Sequence, residues 1–260
     1  MPVLVSFENH LETIRAQTCA FVADAEAAGP NASVPTCPRW TTADLVRHQG
    51  SVHRWATAHA QALKGDRPAQ VAKEAGRDAP VRFEARLRWL TSGAAALVDA
   101  LGAAPRDLRA QRFLSDAPPA RAFWARRQAH ETTIHRADAA AARHSRLPKP
   151  DDVDIDPALA ADGLDELLTG FLPRKSSRLR RDEPAAVLVS PTDRPQRWTV
   201  RISAEPPATV RTDTPEPALL LAGTAAGLYL GLWNRGDEFA VAGDETLAQL
   251  WRAKVRVRWS

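Results

Sequence analysis

Residues 123–143, FWARRQAHETTIHRADAAAAR, carry Glu131 and His135 four positions apart. On a helix this spacing sends both side chains out of one face, one turn above the other. A carboxylate and an imidazole so placed are an oxygen and a nitrogen ligand for a borderline cation such as zinc. In reactive sites zinc takes three protein ligands and keeps one position open. Helical steps from the pair add Trp124, Gln128 and Asp138 to the same face, which is too polar for ordinary core packing. Pairs of this kind also occur as solvated partners on helix surfaces, so a third ligand has to decide between the two readings.

The candidate third ligand is His48, in VPTCPRWTTADLVRHQGSVHRW. Thr41 followed three residues later by Asp44 reads as a capping box, and Trp40 can fold onto Leu45 as a hydrophobic staple, so a helix starts here. Steps of three and four from Leu45 place His48, Val52, Trp55 and His59 on its inward stripe. Alone, such a histidine reads as a hydrogen-bonded core residue. Facing Glu131 and His135 across a bundle, it completes a set of two neutral imidazoles and one carboxylate. That set leaves a bound dication with a net charge of about +1 and an open position for water or a thiol.

The neighbouring candidates are weaker. His53 points to a different face from His48, and His130 is rotated by about 100° from Glu131. His59 shares the His48 stripe but lies about 16 Å along the helix, too far to share a metal. Asp138 reads either as a carboxylate steadying His135 or as a solvated group near the helix end. Cys37, in a proline-flanked turn, reads as a small buried group rather than a nucleophile.

These residues need helices to position them. A first helix is expected over residues 4–27, with Leu4, Phe7, Leu11, Ile14, Cys19, Phe21 and Val22 as apolar positions. The helix opened by Thr41 is followed by a polar connector from Asp66 to Pro80. A third helix is expected over residues 81–101, and Pro118 and Pro119 open a fourth. Four amphipathic helices in succession specify a bundle, whose core is a place where metal sites are built. Beyond residue 150 the pattern changes. A helix over residues 157–172 precedes the β-rich runs PAAVLVS, RWTVRISAE and ATVRT, then an apolar helix at 216–234 and a strand in DEFAVAG. Segregated strands of this kind indicate a second, α+β domain, giving domains at 1–150 and 151–260.

Composition narrows the functional classes. Lys+Arg 35 against Asp+Glu 31 leaves +4, a mild excess that does not indicate nucleic-acid binding. The one dense basic run, RKSSRLRR at 174–181, reads as a solvated connector, with a collar for anionic substrates as its alternative. Two cysteines, Cys19 and Cys37, form no disulfide framework, and no apolar run is long enough to cross a bilayer. A cytoplasmic protein with no membrane partner is expected, and a monomer is the default.

The segment VPTCPRWTTADLVRHQGSVHRW resembles a motif of the actinobacterial, mycothiol-dependent maleylpyruvate isomerase family. FWARRQAHETTIHRADA is similar to that family's fourth-helix motif, ALAADGLDELLTGFLPR to the start of its C-terminal domain, and LLLAGTAAGLYLGLWNRGDEFAVAGD to its closing pattern. The resemblance covers nearly the whole chain. It implies an α plus α+β fold, with an N-terminal DinB-like four-helix bundle followed by a smaller, sterol-carrier-protein-like α+β domain. It also implies His48, Glu131 and His135 as metal ligands, and Arg235, in the second domain, as a catalytic arginine; we expect that arginine to lie over the metal. Arg39 departs from the family pattern, standing where a small residue is usual.

What the resemblance implies for chemistry is a zinc ion, or another divalent metal, and mycothiol as thiol cosubstrate. The thiolate would add to an electrophilic small molecule, giving cis-trans isomerisation if it is later eliminated and S-transfer if it is not. Arg235 would meet the substrate's carboxylate or enolate with its forked donors. Two other readings remain open at this point. One is a metal-assisted hydrolase, in which water replaces the thiol; the other is a non-enzymatic structural or sensing module held together by its metal.

Overall fold

The computed structural model describes residues 5–256; Leu4, assigned above to the first helix, lies outside them. The chain divides into two compact units. The first contains Val5–Arg112 and Pro118–Pro148, and the second contains Phe113–Ala117 together with the chain from Lys149 onward.

The first unit is built from α1 (Phe7–Ala28), α2 (Thr42–Ala60), α3 (Arg67–Arg77), α4 (Phe83–Ala103) and α5 (Ala120–His144). α1 packs along α5 and α2 along α4, and α1–α4 and α2–α5 contacts close the four into a ring. Asp24 on α1 receives Arg136 at 3.2 Å and Arg143 at 3.0 Å from α5, and the buried run Ala139–Ala142 lets helices approach closely. Every residue of α5 from Phe123 to Ala142 except Arg136 is buried. The fourth helix is therefore interior on all sides, and its polar groups must find partners inside the protein.

Two features of α2 follow from local chemistry. Thr41 caps it with the expected box: its hydroxyl accepts from Asp44 N at 3.3 Å, and Asp44 Oδ2 accepts from Thr41 N at 3.1 Å. Trp40 packs against the apolar cluster that includes Leu45, where a staple would place it. Gly50 is required by close packing, since a Cβ there would lie 2.0 Å from the Trp89 ring.

Several expectations are corrected. The stretch Asp66–Pro80 is not a connector throughout, because α3 occupies Arg67–Arg77 and packs on α2. Pro68 lies in its first turn, where a missing N–H costs nothing. The buried face of α2 runs through Leu45, Val46, Gln49, His53 and Ala56, so the inward stripe is rotated from the expected one. Val52 and Trp55 are only half-buried, and His48 sits at the edge of that face.

The second unit contains α6 (Pro150–Val153) and α7 (Pro157–Asp165), the latter continuing as a π-helical turn over Glu166–Phe171. Five strands follow, β1 (Ala185–Pro191), β2 (Trp198–Ile202), β3 (Ala208–Val210), β4 (Leu219–Gly223) and β5 (Ala240–Gly243), with α8 (Ala225–Leu232) before β5 and α9 (Glu245–Lys254) after it. The sheet order is β3-β2-β1-β4-β5. β1 and β4 are parallel, with Val189 opposite Leu221, and the other pairs are antiparallel. The expected apolar helix at 216–234 is thus half strand. LLLAG pairs with β1, and Thr224 then caps α8 by accepting from Gly227 N at 3.1 Å. α9 was not anticipated. No helix among the described residues is long and apolar enough to cross a membrane.

Candidate metal centre

His48 from α2 and Glu131 and His135 from α5 converge inside the first unit, with one ligand atom from each lying within 4.8 Å of the others. His135 Nε2 is 3.3 Å from Glu131 Oε1, and His48 Nε2 is 3.8 Å from the same oxygen. Two ligands each about 2.1 Å from a tetrahedral zinc lie about 3.4 Å apart, so the set has the spacing of a cation's coordination edge. Glu131 Oε1 is buried and has no hydrogen-bond partner of good geometry among the described residues, which in an interior calls for a positive partner. The Glu131 and His135 side chains are 3% and 0% exposed and that of His48 is 24% exposed, but the facing atoms His48 Nε2, Glu131 Oε1 and His135 Nε2 are all buried. The residues present fit a divalent cation held by two imidazoles and one carboxylate.

The surroundings orient each candidate ligand. His135 Nδ1 is 2.8 Å from Asp138 Oδ2, so Nδ1 donates to that carboxylate and Nε2 is the nitrogen that faces Glu131. Asp138 is fully buried, which removes the reading of a solvated carboxylate near the helix end. Cys37 donates its thiol proton to the same Asp138 oxygen at 3.8 Å. The Trp40 ring lies 4.7 Å from the His48 ring and 6.2 Å from that of His135, so the turn that caps α2 also covers the imidazoles. Arg127, one turn before Glu131, places Nη2 3.3 Å from Glu131 Oε2.

Electrostatics follows from this arrangement. Burial disfavours the charged form of Glu131, yet the adjoining His135 and His48 rings and the Arg127 guanidinium hold its carboxyl well below the usual carboxylate range. Burial works against protonation of His135, but Asp138 and Glu131 at its two nitrogens outweigh it and raise its pKa. For His48, burial prevails and lowers the pKa despite Glu131. A neutral, ligand-competent His48 is therefore favoured.

The other sequence candidates fall elsewhere. His53 is fully buried, with Nε2 2.8 Å from Gln49 Nε2 and 3.0 Å from Thr132 Oγ1. His59 stacks on Trp124, with ring centres 4.3 Å apart, and His130 meets the His10 ring edge-on at 6.1 Å. Arg39 is exposed. In the second unit Arg235 follows Asn234, whose left-handed φ of 63° turns the chain back after α8. Arg235 is 2% exposed and donates from Nη1 to Trp233 O at 2.8 Å. Sequence reasoning missed Arg127 and the covering role of Trp40. A step of four back from Glu131 along its stripe reaches Arg127.

Comparison with known proteins identifies the family and the fold. Residues 11–140 match the family model described as the mycothiol maleylpyruvate isomerase N-terminal domain, and residues 158–250 match the MDMPI C-terminal domain. Two crystal structures of the mycothiol-dependent maleylpyruvate isomerase share the fold. A mutant form superposes with a TM-score of 0.60 and a second form with 0.58, each at 12% identity and covering 93% of this chain and 96% of that one. No curated protein matches the sequence. With both domain models matched in order along the chain, the protein belongs to the mycothiol maleylpyruvate isomerase family.

Proposed function

We propose that the protein is a metal-dependent enzyme that uses mycothiol or a similar low-molecular-weight thiol, acting as a cis-trans isomerase or an S-transferase on an electrophilic small molecule. The observation that carries this reading is the convergence of His48 Nε2, Glu131 Oε1 and His135 Nε2. Family membership supports the thiol.

His48, Glu131 and His135 would hold the metal, with zinc the best match to two imidazoles and a carboxylate. A bound dication would supply positive charge that favours the thiolate form of an entering thiol. The chain's own groups prepare for this. Asp138 keeps the His135 proton on Nδ1, and Trp40 shields the two imidazole rings. In the isomerase reaction the thiol sulfur adds to a cis double bond activated by a carbonyl, and the electron pair moves onto that carbonyl as an enolate. Rotation about the new single bond and expulsion of the same sulfur give the trans isomer and regenerate the thiol. S-transfer stops after addition and protonation. Arg235 is proposed as the cation that receives the substrate's carboxylate or the enolate.

The test is turnover of maleylpyruvate by the purified, zinc-loaded protein with and without mycothiol. Thiol-dependent appearance of the trans isomer, or of a thiol adduct, supports the reading. Hydrolysis of substrate at the same rate without thiol would instead assign water to the open position. Arg235→Lys should raise KM and lower kcat while leaving metal content unchanged.

A further inference from the structure

Glu131 has its two carboxylate oxygens assigned to different tasks. Oε1 faces His135 Nε2 at 3.3 Å and His48 Nε2 at 3.8 Å, while Oε2 faces Arg127 Nη2 at 3.3 Å. Arg127 is 1% exposed and stands one turn before Glu131 on α5, so it approaches from within the helix's own stripe. Its charge is permanent and its donors lie in a fixed plane. An oxygen held by such a donor is withdrawn from competing for a cation on the other side of the carboxylate.

Resting on the metal-site reading above, we propose that Arg127 is a positioning residue that keeps Glu131 a one-oxygen ligand and thereby reserves the fourth coordination position for an external sulfur. Three ligands giving one atom each leave one corner of a tetrahedron. A Glu131 that turned both oxygens to the cation would fill that corner or crowd it. Charge acts in the same direction. The Arg127 guanidinium offsets the negative charge that Glu131 brings to the site, so a bound dication keeps more of its pull on an entering anion, and in a buried setting that pull is weakly screened. The simpler alternative is an ion pair between turns of one helix that only neutralises a buried carboxylate. That alternative predicts no change in coordination when Arg127 is replaced, provided the protein folds.

The experiment uses the full chain loaded with cobalt(II), whose visible absorption is intense in four-coordinate sites and weak in five-coordinate ones, and mercaptoethanol as the thiol probe. Wild type should show the intense bands, shifting on thiol addition. Arg127→Met should bind cobalt stoichiometrically with absorption reduced several-fold and thiol affinity weakened by about tenfold, the scale on which groups supporting a ligand act. Arg127→Lys, which retains the charge and one donor, should recover most of both. An Arg127→Met spectrum and thiol affinity equal to those of wild type would overturn the proposal while leaving the metal site standing. Wild type that takes up no cobalt removes the site and the proposal together. Should Arg127→Met fail to fold, X-ray absorption of the zinc-loaded wild type decides: one carboxylate oxygen at bonding distance supports the role, and two contradict it.

Discussion

His135 Nδ1 lies 2.8 Å from Asp138 Oδ2, on the opposite side of the ring from the nitrogen that faces Glu131. Both residues are on α5, three apart, and both are fully buried. The helix thus supplies a candidate ligand and the group that orients it within a single turn.

Replacing Asp138 by Asn removes the negative charge while keeping the shape, so the His135 ring loses both its preferred tautomer and part of its basicity. Metal affinity should fall by about 10- to 100-fold, the usual cost of removing such a partner. Competition against a chromophoric chelator measures it directly. Unchanged affinity would mean that Asp138 only fills space.

The buried imidazole of His53 makes a pH prediction. Burial pushes its pKa from 6.5 down to about 3, with Arg54 contributing in the same direction. The unfolded chain therefore binds a proton below about pH 6.5 that the folded chain refuses until about pH 3. The stabilisation is complete above 6.5 and drains away as pH falls through that window, by up to about 1.4 kcal/mol per unit. Urea unfolding of metal-free protein between pH 7 and 4 should show a steeper loss for wild type than for His53→Gln. Parallel curves would contradict the assignment.

The capping box at Thr41 and the Glu131–His135 pair were legible in the sequence because each depends on one helical turn of neighbouring residues. The second-unit misreading has a physical cause: LLLAG is a short, wholly apolar run, and a buried strand and a buried helix segment look alike at that length. Thr224 was the cue, a capping residue in the middle of what was read as continuous helix. Likewise Pro68 reads as a breaker unless it is recognised as a first-turn residue. The inward stripe of α2 is misplaced by the sequence reading because α2 buries a broad face, through Leu45, Gln49, His53 and Ala56, rather than a narrow stripe centred on His48. The pairing of Cys37 with Asp138, 101 positions apart, depends on tertiary packing and carries no local signal.

The measurement that tests the central claim most directly is the metal content of purified protein, by elemental analysis after reconstitution with zinc and removal of excess, for wild type beside His48→Ala and His135→Ala. The account predicts close to one zinc per wild-type chain and little in either variant, with all three proteins retaining the same helical circular dichroism. A wild-type chain that retains no zinc, or variants that retain as much as wild type, would contradict it.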